Sequence, residues 1–205
     1  MRTTGVKEKA ERAAIDLFAA RGVNGVSIAD IADAAGISQG ALYRHYPSKG
    51  ELAGHLFLEA YRLTGAELRA IVKREQGFSR RIEGMVGHFC DLYDRDAALF
   101  RFMLLAQHEL LPAMSNDAPT PVAAVEQAVA AAIEARELGE VDIPIVTAAI
   151  MGIVLQTALF HVYGRITGPL AARAPALARA AVAAAKALGE VGQRSPPITN
   201  EEPGG

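Results

Sequence analysis

The chain contains 205 residues, 51% of them hydrophobic and 21% charged, a balance that excludes a wholly disordered or collagen-like protein. Its net charge is only −2, so the overall charge gives no sign of nucleic acid, membrane surface or acidic substrate as a partner. Residues 1–50 carry seven Lys or Arg against five Asp or Glu, and this small local excess is compatible with DNA binding without demonstrating it.

Residue types that carry catalysis or metal binding are sparse. Cys90 is the single cysteine, which excludes an intramolecular disulfide and an all-cysteine metal site and fits a reducing cytoplasm. The first residues are charged and periodic, unlike an export signal. The five histidines are scattered, and the sequence contains no glycine-rich phosphate loop, zinc-protease motif or nucleophile elbow. We therefore expect no metal, no cofactor and no enzymatic activity.

Hydrophobic periodicity predicts helices along the whole chain. Apolar residues from Val6 to Phe18 recur at helical spacing, and Gly22 and Gly25 follow as a stop signal. Strand-like alternation is missing throughout, so the predicted fold class is all-α. After the short segments described below, the remaining helices are expected at about 51–75, 79–94, 97–110, 122–138, 143–163 and 175–188.

The predicted helix from Glu51 to Glu75 has two apolar faces. Leu52, Leu56 and Leu63 lie on one face, and Phe57, Tyr61, Leu68 and Val72 lie on another. Two faces imply two packing neighbours. We interpret this helix as a bridge between an N-terminal unit and the rest of the chain.

Two short helices joined by a glycine turn are predicted between these long ones. Ser27 can cap a helix that begins at Ile28, with Asp30 at the capping-box position. Gly36 ends it where a tight turn requires a positive φ, and Ser38 can cap a second short helix that continues to Arg44. This is the geometry of a helix-turn-helix.

The outward face of the second short helix has an unusual composition for a solvated surface. Gly40 and Ala41 are small enough to let a helix enter a groove, while Gln39 and Arg44 carry donors suited to base edges or phosphates. Downstream, Ser48 and Lys49 offer a helix N-terminus and a cation together, which suits a phosphate. Tyr43, His45 and Tyr46 add ring and hydroxyl donors on the same side, although packing between helices is an equal alternative for Tyr46.

The run from Ser27 to Leu52, SIADIADAAGISQGALYRHYPSKGEL, resembles the DNA-binding signature of the TetR family of transcriptional regulators. The preceding helix is similar as well, through Leu17, Phe18, Gly22 and Gly25. One departure is Ala29, where many members carry a basic or polar residue that touches the DNA backbone. The resemblance implies phosphate contacts by Ser27, Tyr43 and Lys49, base contacts by residues 39–41, and either role for Arg44. The full set of candidate DNA contacts is Ser27, Ser38, Gln39, Gly40, Ala41, Tyr43, Arg44, His45, Tyr46 and Lys49.

The resemblance also implies that the C-terminal helices form a dimer and enclose a cavity for a small molecule. We divide the chain into a DNA-binding domain at 1–50, an effector-binding and dimerisation domain at 51–189, and a disordered tail at 190–205. Candidate cavity residues, for each of which ordinary core packing is the alternative, are Tyr61, Met85, His88, Phe89, Tyr93, Phe102, Met103, Gln107 and His108. Candidate dimer contacts are Leu155, Leu159, Val162, Ala181, Val182, Ala185 and Leu188.

Residues 143–163 are apolar enough to raise the alternative of a membrane span. Pro144, Gln156 and His161 interrupt the segment, and its small residues suit close helix packing. A buried or dimer-interface helix is therefore favoured, and we expect no membrane partner.

These features together predict a cytoplasmic homodimer that binds a palindromic double-stranded DNA operator. Two recognition helices would lie in successive major grooves about 34 Å apart, and a small-molecule effector of unknown identity would release this repressor. The alternative is a helical small-molecule binding protein whose helix-turn-helix is vestigial. A third reading is a helical enzyme that uses His88 or His108.

Overall fold

The structure is a computed structural model that describes residues 3–111 and 120–192. Within these two ranges all regular secondary structure is helical, as the absence of strand patterns predicts. The helices are α1 (Thr3–Arg21), α2 (Ile28–Ala35), α3 (Gln39–Tyr43), α4 (Lys49–Arg74), α5 (Phe78–Arg95), α6 (Ala97–Leu110), α7 (Pro121–Glu134), α8 (Ile143–Val162) and α9 (Ala174–Gly192). The tail predicted at 190–205 and the chain break predicted from Pro112 onwards lie largely outside the described residues.

Side-chain caps set the start of most of these helices. The hydroxyl oxygens of Ser27, Ser38 and Ser48 accept the backbone N–H three residues further on, at 3.1, 3.2 and 3.1 Å. Each such cap is worth about 1 kcal/mol. The same arrangement begins the later helices α6, α7 and α8 at Asp96, Thr120 and Asp142.

The apolar side chains form two clusters, and α4 and α6 contribute to both. One cluster joins α1–α3 to the first half of α4 and includes Phe102 of α6. The other joins the second half of α4 to α5 and α7–α9, and includes Phe100 and Leu104 of α6. The bridging role predicted for α4 is therefore confirmed, although Leu63, predicted on a packed face, is 60% exposed.

Helix α7 ends four residues earlier than its apolar pattern predicts. Arg136 adopts a left-handed φ of 58°, and the N–H groups of Glu137 and Leu138 both donate to the carbonyl of Ala132, at 2.8 and 3.2 Å. The turn places the Glu137 carboxylate where its Oε2 accepts the N–H of Phe78 at 2.8 Å. Glu137 thereby caps α5, whose preceding residue is a glycine without a side chain to do so.

Helix α8 is the one helix of the described chain whose length and mean hydropathy of 2.1 would suffice for a membrane span. In the fold it packs against α7 and α9. Only 28% of its apolar window is buried. Its exposed apolar residues form a candidate interaction surface.

Candidate functional site: the helix-turn-helix and the apolar cavity

The turn between α2 and α3 has the predicted geometry. Gly36 adopts φ +66°, its N–H donates to the carbonyl of Asp33 at 3.1 Å, and the N–H of Ile37 donates to Ala32 at 3.0 Å. Ala32 is 1% exposed, which allows the short helices to approach closely. Leu42 of α3 is fully buried in the N-terminal core and fixes which face of α3 points outward.

The outward face of α3 is open. Gln39, Gly40 and Arg44 are exposed, and Ala41 is half-buried. A Cβ atom added at Gly40 would meet no atom within 4 Å, so the helix has free space on this side. Tyr43 is 49% exposed. These side chains project from a rigid, capped element on which neighbouring helices do not pack, as entry into a DNA groove requires.

Tyr46 does not lie on this surface. Its side chain is 6% exposed, and its hydroxyl donates to the carboxylate of Glu11 in α1. Burial, followed by the hydrogen bond to Glu11, raises the pKa of Tyr46. The assignment of Tyr46 as a DNA contact is therefore corrected, because the residue ties the end of the recognition unit to α1.

The hydroxyl of Ser27 is occupied within the protein. It donates to Asp30 Oδ2 at 2.6 Å, and the backbone N–H of Ser27 donates to the same oxygen at 2.8 Å. The Ser27 hydroxyl and N–H, with Arg21 nearby, hold the pKa of Asp30 below its usual value. A phosphate near Ser27 would have to approach this carboxylate, so the role assigned to Ser27 stays a prediction.

The start of α4 presents donors of a different kind. Ser48 is exposed and caps the helix through the N–H of Glu51. Lys49, the first residue of the helix, is half-buried, and Gly50 beside it is exposed. A lysine and the positive end of a 26-residue helix together favour an anion such as a phosphate.

A small apolar cavity lies where α4, α5, α6 and α8 meet. Its volume is about 40 Å³, and a neighbouring void between α5, α7 and α8 adds about 20 Å³. Five of the residues predicted to line a cavity do line one or both of these voids, namely Tyr61, Met85, Phe89, Met103 and Gln107. The larger cavity is also lined by Phe100, Leu104, Pro121, Met151 and Leu155, none of which the sequence predicted as a cavity residue. The signal for the last two is the apolar character of α8 on all sides.

Four candidate cavity residues lie elsewhere. Phe102 packs between Phe18 and Phe57 in the N-terminal core, and His108 is exposed. The Tyr93 hydroxyl lies 2.9 Å from Nδ1 of His161.

His88 is the fourth of them. Its Nε2 lies 3.0 Å from Oε2 of Glu67 on the α4 side, outside hydrogen-bonding angles. Desolvation by burial lowers the pKa of His88, and the nearby carboxylate of Glu67 opposes that shift.

The predicted dimer contacts also need correction. Ala181 and Ala185 have no exposed surface and fill the core of the chain, while Leu155 lines the cavity. The exposed stripe of α8 and its C-cap includes Ile145, Ala148, Gly152, Gln156, Phe160 and Tyr163, and α9, which packs against α8, has a stripe of exposed alanines at Ala176, Ala180, Ala183 and Ala187. We call these two stripes the α8–α9 face.

Fold and site together define a helix-turn-helix protein with an all-helical body. Residues 12–56 match the family model described as bacterial regulatory proteins, tetR family. The N-terminal region of the chain is therefore similar to members of that family. Over 69 residues it is 36% identical to the HTH-type transcriptional repressor KstR2 of Mycobacterium tuberculosis, a match that covers 34% of each chain. The chain thus spans about a third of the length of the curated relative that it matches.

Solved structures extend the likeness to the whole fold. The fatty acid degradation regulator FadR from Bacillus halodurans superposes with a TM-score of 0.76 at 17% identity, over 85% of this chain and 93% of that one. FadR from Bacillus subtilis in complex with stearoyl-CoA superposes with a TM-score of 0.72 at 16% sequence identity, over 87% of this chain and 98% of that one. A TetR family transcription regulator from Marinobacter aquaeolei VT8 superposes with a TM-score of 0.73 at 18% sequence identity, over 89% of this chain and 96% of that one.

Proposed function

We propose that the protein is a homodimeric transcriptional repressor that binds a palindromic operator and leaves it when an apolar small molecule binds. The observation that carries this proposal is the open face of α3, whose small and donor-bearing residues stand on a unit fixed by Gly36 and buried Leu42. The family match of residues 12–56 supports it. In this proposal the protein acts in the cytoplasm and has no enzymatic activity.

In the proposed complex α3 lies in the major groove. Gln39 reads base edges through its amide, while Gly40 and Ala41 allow the backbone to approach. Arg44 contacts a base or a phosphate. Tyr43 and Lys49 bind phosphates and set the register of the protein on the duplex.

The α8–α9 face supports the proposed dimer. Ile145, Phe160 and Tyr163 are 55%, 40% and 61% exposed, and the small residues between them allow close helix packing. Two copies that place α8 and α9 against each other would form a four-helix bundle and cover this apolar surface. Such a dimer would hold two copies of α3 on one side of the DNA.

The effector is proposed to be a molecule with a long apolar chain that enters the apolar cavity. The cavity of about 40 Å³ is far smaller than the roughly 300–1,000 Å³ of ordinary ligand pockets, so binding must push its walls apart. Helix α6 supplies Met103 and Gln107 to that wall, and Phe102 and Met103 pack in the N-terminal core. Displacement of α6 would therefore move the DNA-binding unit. The acyl-CoA complex of a similar fold makes this chemistry a reasonable first probe.

The DNA-binding assignment is tested with two variants and genomic fragments selected by the wild-type protein. Lys49→Ala is expected to weaken binding to all sequences and to reduce the salt slope by about one, whereas Gln39→Ala changes which bases are preferred. Lys186→Ala and Gln76→Ala, both at exposed positions away from α3, serve as controls. If neither variant alters DNA binding, the assignment of the DNA-binding residues is wrong. A wild-type protein that binds no genomic fragment in a salt-dependent gel shift would favour the alternative of a ligand-binding protein with a vestigial helix-turn-helix.

The effector assignment is tested with stearoyl-CoA as the probe. Release of DNA is expected to depend on probe concentration in the wild type and to be lost in Leu155→Trp, which fills the cavity. DNA binding without the probe stays intact in this variant. Release that persists in Leu155→Trp would place the effector elsewhere.

A further inference from the structure

A second, polar groove lies where the DNA-binding unit meets the helical body. It has a volume of about 300 Å³ and is open to solvent. Asp16 and Ala20 of α1 form one wall, and Tyr93, Ala97, Arg101 and His161 of the body form the others. It shares no lining residue with the apolar cavity. Whatever binds here touches both parts of the molecule.

Most polar groups of the groove are already paired within the protein. Both carboxylate oxygens of Asp16 accept from Arg12, at 3.2 and 2.5 Å. The Nε2 of His161 lies 2.8 Å from the carbonyl of Gly168, and because a carbonyl only accepts, Nε2 carries the hydrogen. In the neutral ring Nδ1 is then an acceptor, which the Tyr93 hydroxyl satisfies at 2.9 Å.

Arg101 is the exception. Its Nε is buried and has no hydrogen-bond partner among the described residues. A buried donor left unpaired is unfavourable, and more so when it belongs to a charged group. The groove therefore combines a guanidinium that has one unpaired N–H, the Arg12-paired carboxylate of Asp16, and small apolar side chains at Ala20 and Ala97.

We propose that this groove binds a small organic carboxylate, with the carboxylate on Arg101 and the apolar part against Ala20 and Ala97. The planar guanidinium pairs with a carboxylate through parallel hydrogen bonds. Because the carboxylate of Asp16 lines the same groove as Arg101, a monoanion is favoured over a phosphate dianion. A ligand held here joins α1 to the body and restricts the movement of the DNA-binding unit. The site thus goes beyond the proposed function, because it is separate from the apolar effector cavity.

The test is a titration of the full ¹⁵N-labelled chain with benzoate, followed by amide NMR at constant ionic strength. Saturable shifts are expected at Ala20 and Ala97, and the neutral isostere benzamide is expected to give none. Arg101→Gln is expected to raise the dissociation constant at least about tenfold, the effect of losing a charged hydrogen bond. Arg62→Gln removes the same charge at an exposed site of α4 and should bind as the wild type does.

Three results would overturn the proposed carboxylate site. The first is an absence of saturable shifts at Ala20 and Ala97, and the second is a benzoate affinity of Arg101→Gln equal to that of the wild type. The third is a set of shifts confined to Met103 and Leu155 of the apolar cavity. If Arg101→Gln does not fold, Ala20→Leu narrows the groove from an exposed position and is expected to abolish the shift at Ala97. Retained binding in Ala20→Leu would also count against the site. No DNA enters the titration, so its outcome is independent of the proposed repressor function.

Discussion

The aromatic rings of Phe18 in α1 and Phe102 in α6 pack with their centroids 5.6 Å apart and their planes tilted by 30°. Phe57 of α4 meets Phe102 edge-on at 6.4 Å, and all three side chains are at most 1% exposed. Met103, the next residue along α6, lines the apolar cavity. Both residues of α6 therefore pack in the N-terminal cluster, and Met103 also lines the cavity.

Phe102→Ala is expected to destabilise the protein by about 3–5 kcal/mol, because it removes a fully buried ring from the junction of three helices. Denaturant unfolding measures the loss. Leu105→Ala on the same helix is the control, since Leu105 is 42% exposed and its truncation should cost under about 1 kcal/mol. Comparable losses in the two variants would contradict the packing described for Phe102.

Tyr46→Phe and Tyr43→Phe separate a structural tyrosine from a proposed DNA contact. Loss of the Tyr46 hydroxyl removes the hydrogen bond to Glu11 and is expected to lower the free energy of unfolding by about 1.5 kcal/mol. Tyr43→Phe, at an exposed position, should change stability by less than about 0.5 kcal/mol and weaken binding to all DNA sequences alike. Unfolding curves measure the changes in stability, and gel shifts measure the changes in DNA binding. Weaker DNA binding in a stable Tyr46→Phe protein would restore Tyr46 as a contact.

Asp96→Asn is expected to flatten the dependence of stability on acid pH. Burial opposes ionisation of Asp96, but hydrogen bonds from Arg12, at 2.5 Å, and from the N–H of Leu99 outweigh it and lower its pKa. Because the folded pKa lies below the unfolded value of about 3.9, the contribution is complete above that pH and is lost as the pH falls through the folded pKa. This contribution to the free energy of unfolding is below about 1 kcal/mol, because the Asp96–Arg12 pair is partly exposed.

Urea unfolding between about pH 3 and pH 7 measures this effect. The asparagine side chain can still accept the N–H of Leu99, so the cap on α6 is retained. Asp142→Asn is the control, because Asp142 caps α8 in the same way but does not pair with Arg12. This variant should keep the wild-type dependence of stability on pH. A wild-type profile in Asp96→Asn would rule out the Arg12 pair as a source of pH dependence.

Gly152→Arg is expected to convert the proposed dimer to a monomer. Gly152 lies in the middle of the α8–α9 face, where a Cβ atom would meet nothing within 4 Å of the same chain. The substitution should therefore fold, and replacing a helical glycine favours the helix by roughly 0.5–1 kcal/mol. Sedimentation measures the molecular mass. Ala66→Arg, at an exposed position of α4, is the control and should stay dimeric; an unchanged mass for Gly152→Arg would exclude this interface.

Local sequence signals determined the N-terminal unit almost completely. The caps at Ser27, Ser38 and Ser48 and the positive φ of Gly36 depend on residues within four positions of each other, so composition and spacing alone could place them. The bounds of most longer helices followed for the same reason, since apolar periodicity is also a local property.

Contacts between distant segments could not be inferred in this way. Periodicity placed Ala181 on an apolar face without showing which neighbour that face meets, and local spacing left Tyr46 between a DNA contact and packing among helices. Ala181 packs inside the chain and Tyr46 meets Glu11, 35 residues away. Only the packed fold decided which side of α8 stays uncovered and which side chains share the groove around Arg101, because helix direction and rotation are set by the sum of many long-range contacts.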